Sequence, residues 1–275
     1  MSPGRVLAIA ETEFRILRRN RWLFIATALL SVFALALTIS GASTSGALGV
    51  DLLTISVASM TTLAVYLVPL VALLMSFEAI AGDAERGSLA LLLTYPVSRG
   101  TLLLGKFVAH VAGLAIAVVI GFGLTGVVAF AMGGAGPESG LALLRLMAGS
   151  ILLGAAFLAF GYVVSGFSRS VAAAAGGAGF VWLILVVLYD LVLLAMVIWD
   201  NGGAFSRQVF PWVLAANPAD ALRLFSVTAS TEQALATGMG AAANALPQGV
   251  ALLSLLLWPV AGLMLARLVF GRRVP

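Results

Sequence analysis

Six long apolar stretches dominate the chain, at about 22–40, 57–77, 107–132, 143–165, 172–198 and 249–270. Each approaches the ~20 residues that an α-helix needs to cross a bilayer. Backbone polar groups find no water in lipid, so such runs must be helical. The pattern predicts an all-α integral membrane protein with six transmembrane helices, in a single transmembrane domain over residues 1–275. The fifth run is longer than a simple crossing requires, which predicts a tilt or a break near its outer end.

Ahead of the first run, Val6, Ile9, Ala10, Phe14 and Leu17 recur at helical spacing, with Arg5, Thr12, Arg15 and Arg19 facing elsewhere. Residues 1–21 therefore predict an amphipathic helix lying in the membrane interface. Arg18, Arg19 and Arg21 form a basic start, and Ser40-Gly41-Ala42 resembles a cleavage site. The apolar run of about 19 residues exceeds a signal core of 7–15, so it reads as an uncleaved anchor. Small residues repeat every fourth position in two runs: Ala117, Gly121, Thr125 and Ala129 in the third, Ala172 and Gly176 in the fifth. Such stripes let helices pack closely, within a bundle or between copies.

Composition supports the membrane assignment, with 62% hydrophobic and 9% charged residues. Soluble domains carry roughly 25% charge. Cysteine is absent, which excludes disulfides and thiolate metal ligands. The pI of about 10.1 does not imply nucleic acid, because the basic residues flank the spans. With the N-terminus inside, Arg5, Arg15, Arg18, Arg19, Arg21, Arg86, Arg99, Lys106, Arg169, Arg267, Arg272 and Arg273 all fall on the inner side. Only Arg145, Arg207 and Arg223 fall outside. The positive-inside rule then predicts that both termini are cytoplasmic, with loop 78–106 cytoplasmic and loop 200–248 on the other side.

Intramembrane chemistry is sparse. Asp190 is the one acid placed well within a run, and it is either a functional carboxylate or a group meeting the outer headgroups. The single histidine, His110, opens the third span and reads as hydrogen-bonded structure. No HExxH, nucleophile elbow or carboxylate pair points to a hydrolase. Met60, Met75, Met132, Met147, Met196, Met239 and Met264 are scattered and read as packing, so the chain offers no set of soft metal ligands. The chain shows no P-loop, so it is not itself an ATPase, and any ATP-derived energy must come from another subunit.

That leaves residues 78–106, where Glu78, Asp83, Glu85, Arg86, Arg99 and Lys106 gather. Asp83, Glu85 and Gly87 read as a turn and a helix start. Ser88 to Tyr95 then forms a short helix with Leu89, Leu92 and Leu93 on one side, stopped by Pro96. Ser98 is positioned to cap the next helix, which carries Arg99 and Lys106. The result is an apolar helix framed by charge, suited to touching a soluble partner. In the opposite loop, Asn217 and Pro218 read as the cap and first position of another short helix. Arg223 follows Asp220 at i+3, within reach, and Trp212 suits interfacial depth. This group reads as a re-entrant hairpin or as a docking platform for an extracytoplasmic partner. Thr228 to Gly240, small and polar, reads as flexible or ordered by a partner.

The pattern E-x-x-x-x-D-x-E-x-G-x-L-x-L-L-L-x-x-P-x-S-R-x-x-x-x-x-x-K, from Glu78 to Lys106, resembles the coupling loop of type II ABC export permeases. NRW at Asn20 to Trp22, LLLTYPVSRG from Leu91, LLLGKFVAH from Leu102, YDLVLLA from Tyr189 and PWVLAANPADALRLF from Pro211 further resemble the NosY-type permeases of NosDFY transporters. The resemblance spans the whole chain. It implies a bacterial inner membrane location, a second copy of the chain, a NosF-like cytoplasmic ATPase carrying ATP and magnesium, and a NosD-like periplasmic partner. It also implies a role in assembling the copper-sulfur centre of nitrous oxide reductase. Within that frame the coupling residues are expected at Asp83, Glu85, Arg86, Gly87, Leu89, Leu92, Leu93 and Arg99, with the leucines filling a groove of the ATPase. The partner or gate residues are expected at Trp212, Asn217, Pro218, Asp220 and Arg223. Two alternatives stand beside this reading: a type II exporter of lipid, glycan or drug, and an assembly platform without transport.

Overall fold

A computed structural model describes residues 3–19, 21–48, 51–95, 97–132, 134–227, 245–247 and 249–272. The described part is all-α, without strands. Helix α1 (Pro3–Leu17) leads into α2 (Arg21–Leu48), followed by α3 (Leu52–Ser76), α4 (Glu78–Glu85) and α5 (Ser88–Thr94). Then come α6 (Arg99–Ala131), α7 (Pro137–Phe167), α8 (Val171–Trp182) and α9 (Tyr189–Asp200). Two short helices, α10 (Phe210–Ala216) and α11 (Pro218–Val227), precede the last, α12 (Val250–Arg272). Six candidate spans emerge: Trp22–Gly41, Leu52–Glu85, Arg99–Ala131, Pro137–Phe167, Val171–Asp200 and Val250–Arg272. Residues 228–240 and the side chain of Leu93 lie outside the described residues.

Helices α3 and α7 form the centre of the bundle. Their closeness has a local cause. A Cβ on Gly154 would run into Leu114 and Val68, and one on Gly161 into the Ser76 hydroxyl. Helix α6 carries small residues at every fourth position from Gly105 through Ala109, Gly113, Ala117, Gly121 and Thr125 to Ala129. Part of this stripe was visible as Ala117 to Ala129; the structure extends it by three turns, and α1 and α2 lie in it. The matching pair Ala172 and Gly176 on α8 is exposed and unfilled within the chain.

The amphipathic N-terminal helix packs on the bundle. Its apolar stripe faces the protein: Ala10 and Leu17 are buried, and Ile9 lies over Gly105. Only Leu7 and Ile16 remain as large exposed apolar groups on this helix. Glycine 105 lacks the side chain that would hold α1 away, and so α6 receives part of its apolar face.

The fifth span breaks within its length. Leu183–Leu188 is π-helical between α8 and α9. At 1.5 Å per residue, Asp190 stands about 28 Å along the span from Val171, near the thickness of a hydrocarbon core. A π insertion rotates the following residues relative to the α-helical register, and it sits directly before Tyr189 and Asp190.

Candidate functional site

Two polar clusters lie at opposite ends of the bundle. The first is an elbow built by α4 and α5. Helix α3 stops at Phe77, and the first turn of α4 then needs partners for its orphan N–H groups. Ser165 of α7 supplies them, its Oγ accepting from Ile80 and Ala81 at 2.9 Å each. At the far end of α4, Gly87 takes a left-handed conformation with φ 73°, which glycine adopts without the Cβ penalty. Ser98 caps α6 by accepting from the Thr101 N–H at 3.2 Å.

Asp83 and Glu85 were expected to open a helix; instead they close α4. Acids at a helix C-terminus oppose its dipole. Here specific partners offset that cost. The Lys106 ammonium of α6 lies 2.9 Å from Asp83 and 2.8 Å from Glu13 of α1. Asp83 also meets Arg86 at 3.3 Å and accepts from the Ser88 hydroxyl at 3.2 Å. Glu85 accepts from the Val171 N–H, the first of α8, at 2.8 Å. One turn along α6, His110 Nδ1 stands 2.9 Å from the hydroxyl of fully buried Tyr162 of α7. Arg99 donates to the carbonyls of Phe270 and Gly271 at the end of α12, at 2.9 and 3.0 Å. The elbow is thus tied by direct polar contacts to α6, α7 and α8, and α6 carries the network on to α1 through Lys106 and to α12 through Arg99.

The leucines divide. Leu89 is buried in the protein's own core with Ile80, Leu102 and Tyr162, and Leu92 packs against it. Leu89 therefore points away from any groove on a partner. Leu91 and Tyr95, which sequence reasoning had not assigned to the site, are 68% and 67% exposed. The signal was present: on a seven-residue helix resting on a core, Leu91 must lie opposite Leu89 if Leu89 is inside.

The second cluster is formed by α11 tucked against α3, α7 and α12. Asn217 caps α11, its Oδ1 accepting from the Ala219 N–H at 2.9 Å, and Pro218 is buried at the first position. The Asn217 amide also donates to the Leu185 carbonyl in the π-helical segment, at 2.7 Å. Two further contacts pin the hairpin: Tyr189 donates to the Val213 carbonyl at 2.6 Å, and Trp258 donates to that of Ala216 at 2.9 Å. Trp212 is exposed. Asn217→Ala removes a cap and leaves the Leu185 carbonyl one partner short, a loss of about 2 kcal/mol. A lower thermal midpoint in detergent, with no change for Trp212→Ala, is the expected result.

Asp190, left open between two readings by the sequence, is paired. Arg223 of α11 lies 2.8 Å from Asp190 and also contacts Asp220. Tyr66 of α3 completes the group, its hydroxyl 3.2 Å from Arg223 and its ring beneath the guanidinium, 5.5 Å from centroid to charge. Burial is the chief influence on Asp220 and raises its pKa to about 7 against the opposing pull of Arg223. Burial is also the largest single influence on Arg223 and lowers its pKa, but Asp220 and Asp190 together outweigh it, so that the net direction is upward. Among the described residues no group of three His, Asp or Glu side chains is arranged to hold a metal ion.

Comparison with known proteins places these features in a family. The family model described as ABC-2 family transporter protein matches residues 7–273. A "Probable ABC transporter permease protein NosY" of Stutzerimonas stutzeri is 42% identical over 276 residues, covering 98% of this chain and 99% of that protein. A protein with the same description from Pseudomonas aeruginosa is 40% identical, covering 98% of each.

Proposed function

Because the chain belongs to the ABC-2 transporter family, we propose that it is the permease subunit of a NosY-type ABC transporter, moved by a separate ATPase through the α4–α5 elbow. The observation that carries this reading is the elbow itself. It offers an exposed Leu91 and Tyr95 on one side and fixed contacts to α6, α7 and α8 on the other, from which Lys106 and Arg99 of α6 reach α1 and α12. A displacement imposed on α5 would reach those helices through Asp83, Glu85, Arg99 and Lys106, with Leu89 as the apolar base and Gly87 as the bend. Leu91 and Tyr95, together with the exposed Arg86, form the contact with the ATPase.

The arginine distribution supports a cytoplasmic elbow and an α10–α11 hairpin at the periplasmic face of a bacterial inner membrane. In this reading two copies of the chain work with a NosF-like ATPase, which holds ATP and magnesium. A NosD-like protein meets the hairpin around Trp212, and the assembly serves copper-sulfur centre formation in nitrous oxide reductase. The likeness to proteins described as NosY over nearly the whole chain supports this reading over an exporter of lipid, glycan or drug.

The test is reconstitution with the cognate ATPase. Leu91→Glu combined with Arg86→Glu is expected to reach the membrane in normal amount but to lower permease-stimulated ATP turnover about tenfold, which equals ~1.4 kcal/mol of coupling. Stimulated turnover equal to that of the parent would remove the elbow from the ATPase interface.

A further inference from the structure

Asp220 stands apart from the other described acids. It is fully buried, its Oδ1 faces Arg223, and its Oδ2 has no hydrogen-bond partner among the described residues. The surroundings hold one excess acid. Asp190 and Asp220 share the single guanidinium of Arg223, and the Tyr66 hydroxyl donates to Asp190 at 3.4 Å. The remaining neighbours bring no second cation to the group. Helix α10 has no titratable residue, and the described charges of α12 are Arg267 and Arg272, near its far end. On α7, Arg145 sits one turn beyond Gly149, the residue against which Leu222 of α11 packs. On the fifth span, the Tyr189 hydroxyl donates a hydrogen bond to the Val213 carbonyl. A buried carboxylate left over after Arg223 is satisfied by the more exposed Asp190 is costly, and protonation removes that cost.

We propose that Asp220 is a proton-binding site: its carboxyl is protonated at Oδ2 while α11 is docked, and undocking of the α10–α11 hairpin releases that proton. In the release step the O–H bond at Oδ2 breaks, the electron pair stays on the carboxylate, and the proton passes to water. Proton occupancy and hairpin docking are therefore linked. The sign follows from the raised value of about 7 against 3.8 for a free carboxyl. The docked state holds more protons between those values, so docking weakens as pH rises through that window and reaches its floor above it. The inference concerns the hairpin alone and stands whether or not the elbow binds an ATPase.

The absence of cysteine makes the test clean. The full chain in lipid nanodiscs is followed by infrared absorption of a protonated carboxylic acid, identified by its shift in heavy water. In parallel, Ser226→Cys, a near-isosteric change at a buried position on α11, reports docking through labelling by a water-soluble maleimide. Its rate is normalised to that of Trp199→Cys, an exposed site, to remove the intrinsic pH dependence of the thiol. Normalised labelling is expected to rise about tenfold between about pH 6 and about pH 8 in the native background and to stay flat with Asp220→Asn, which also removes the acid band. The proposal is overturned if the band persists in Asp220→Asn, if it is lost in Asp190→Asn instead, or if both backgrounds give one labelling profile.

Discussion

Gly121→Leu should leave no folded permease. A Cβ at this position would stand 2.8 Å from the Leu30 Cβ, 3.2 Å from the Leu30 carbonyl carbon and 3.3 Å from the Ser31 nitrogen. Two of these atoms are backbone, so no rotamer change relieves the clash, and α2 must move as a body. Overpacking a filled site costs about 1–3 kcal/mol even where side chains can yield, and here the cost falls at or above the upper end. In a membrane the loss is sharper, because close packing rather than water exclusion holds the helices together. The expected result is loss of the monodisperse peak in detergent size exclusion. Gly140→Ala is the matched control. It lies on α7 with nothing within 4 Å of its Cβ, and it should be neutral or stabilise by up to ~1 kcal/mol through helix propensity.

Lys106→Met is expected to be nearly as severe, by a different mechanism. Lys106 is 6% exposed and is shared by Glu13 and Asp83. Its removal leaves two largely buried carboxylates facing a methyl group, a loss of about 3–5 kcal/mol for a broken buried ion pair. The measurement is the thermal midpoint in mild detergent, with α1 undocking checked by limited proteolysis. The triple variant Glu13→Gln, Asp83→Asn, Lys106→Met should recover most of the loss, because it removes the uncompensated charge along with the cation. Failure to recover would mean that Lys106 acts through its alkyl stem rather than its charge. Glu13→Gln and Lys106→Met should also be strongly non-additive in a double-mutant cycle, since they remove one shared interaction.

The local features of both clusters were legible before the fold was known. The Asp220–Arg223 contact follows from i,i+3 spacing once Pro218 starts a helix. The caps at Ser98 and Asn217 follow from their place before a helical run. Reading Asp83 and Glu85 as a helix start failed because a local rule about acids and dipoles was applied without the cation that overrides it. That cation, Lys106, was named in the sequence reading, but its partner Glu13 lies 93 positions earlier. Nothing local marks Glu13 as different from Glu11, which pairs with Arg15 on the exposed face of the same helix.

By itself the amino-acid sequence determined six apolar helices, the placement of charge at their ends, the elbow at Gly87 and the small-residue stripe on α6. These are consequences of helical period, backbone desolvation and single-residue conformational preference, all of which act over a few positions. The tertiary structure decided which faces meet. It turned α1 onto Gly105, Leu89 inward and Leu91 outward, joined Glu13 to Lys106, and brought Asp190, Tyr66 and Arg223 together from three helices. Partner choice of this kind depends on how each helix is rotated and how closely its neighbours approach. Those quantities are set by packing of the whole bundle rather than by any one segment.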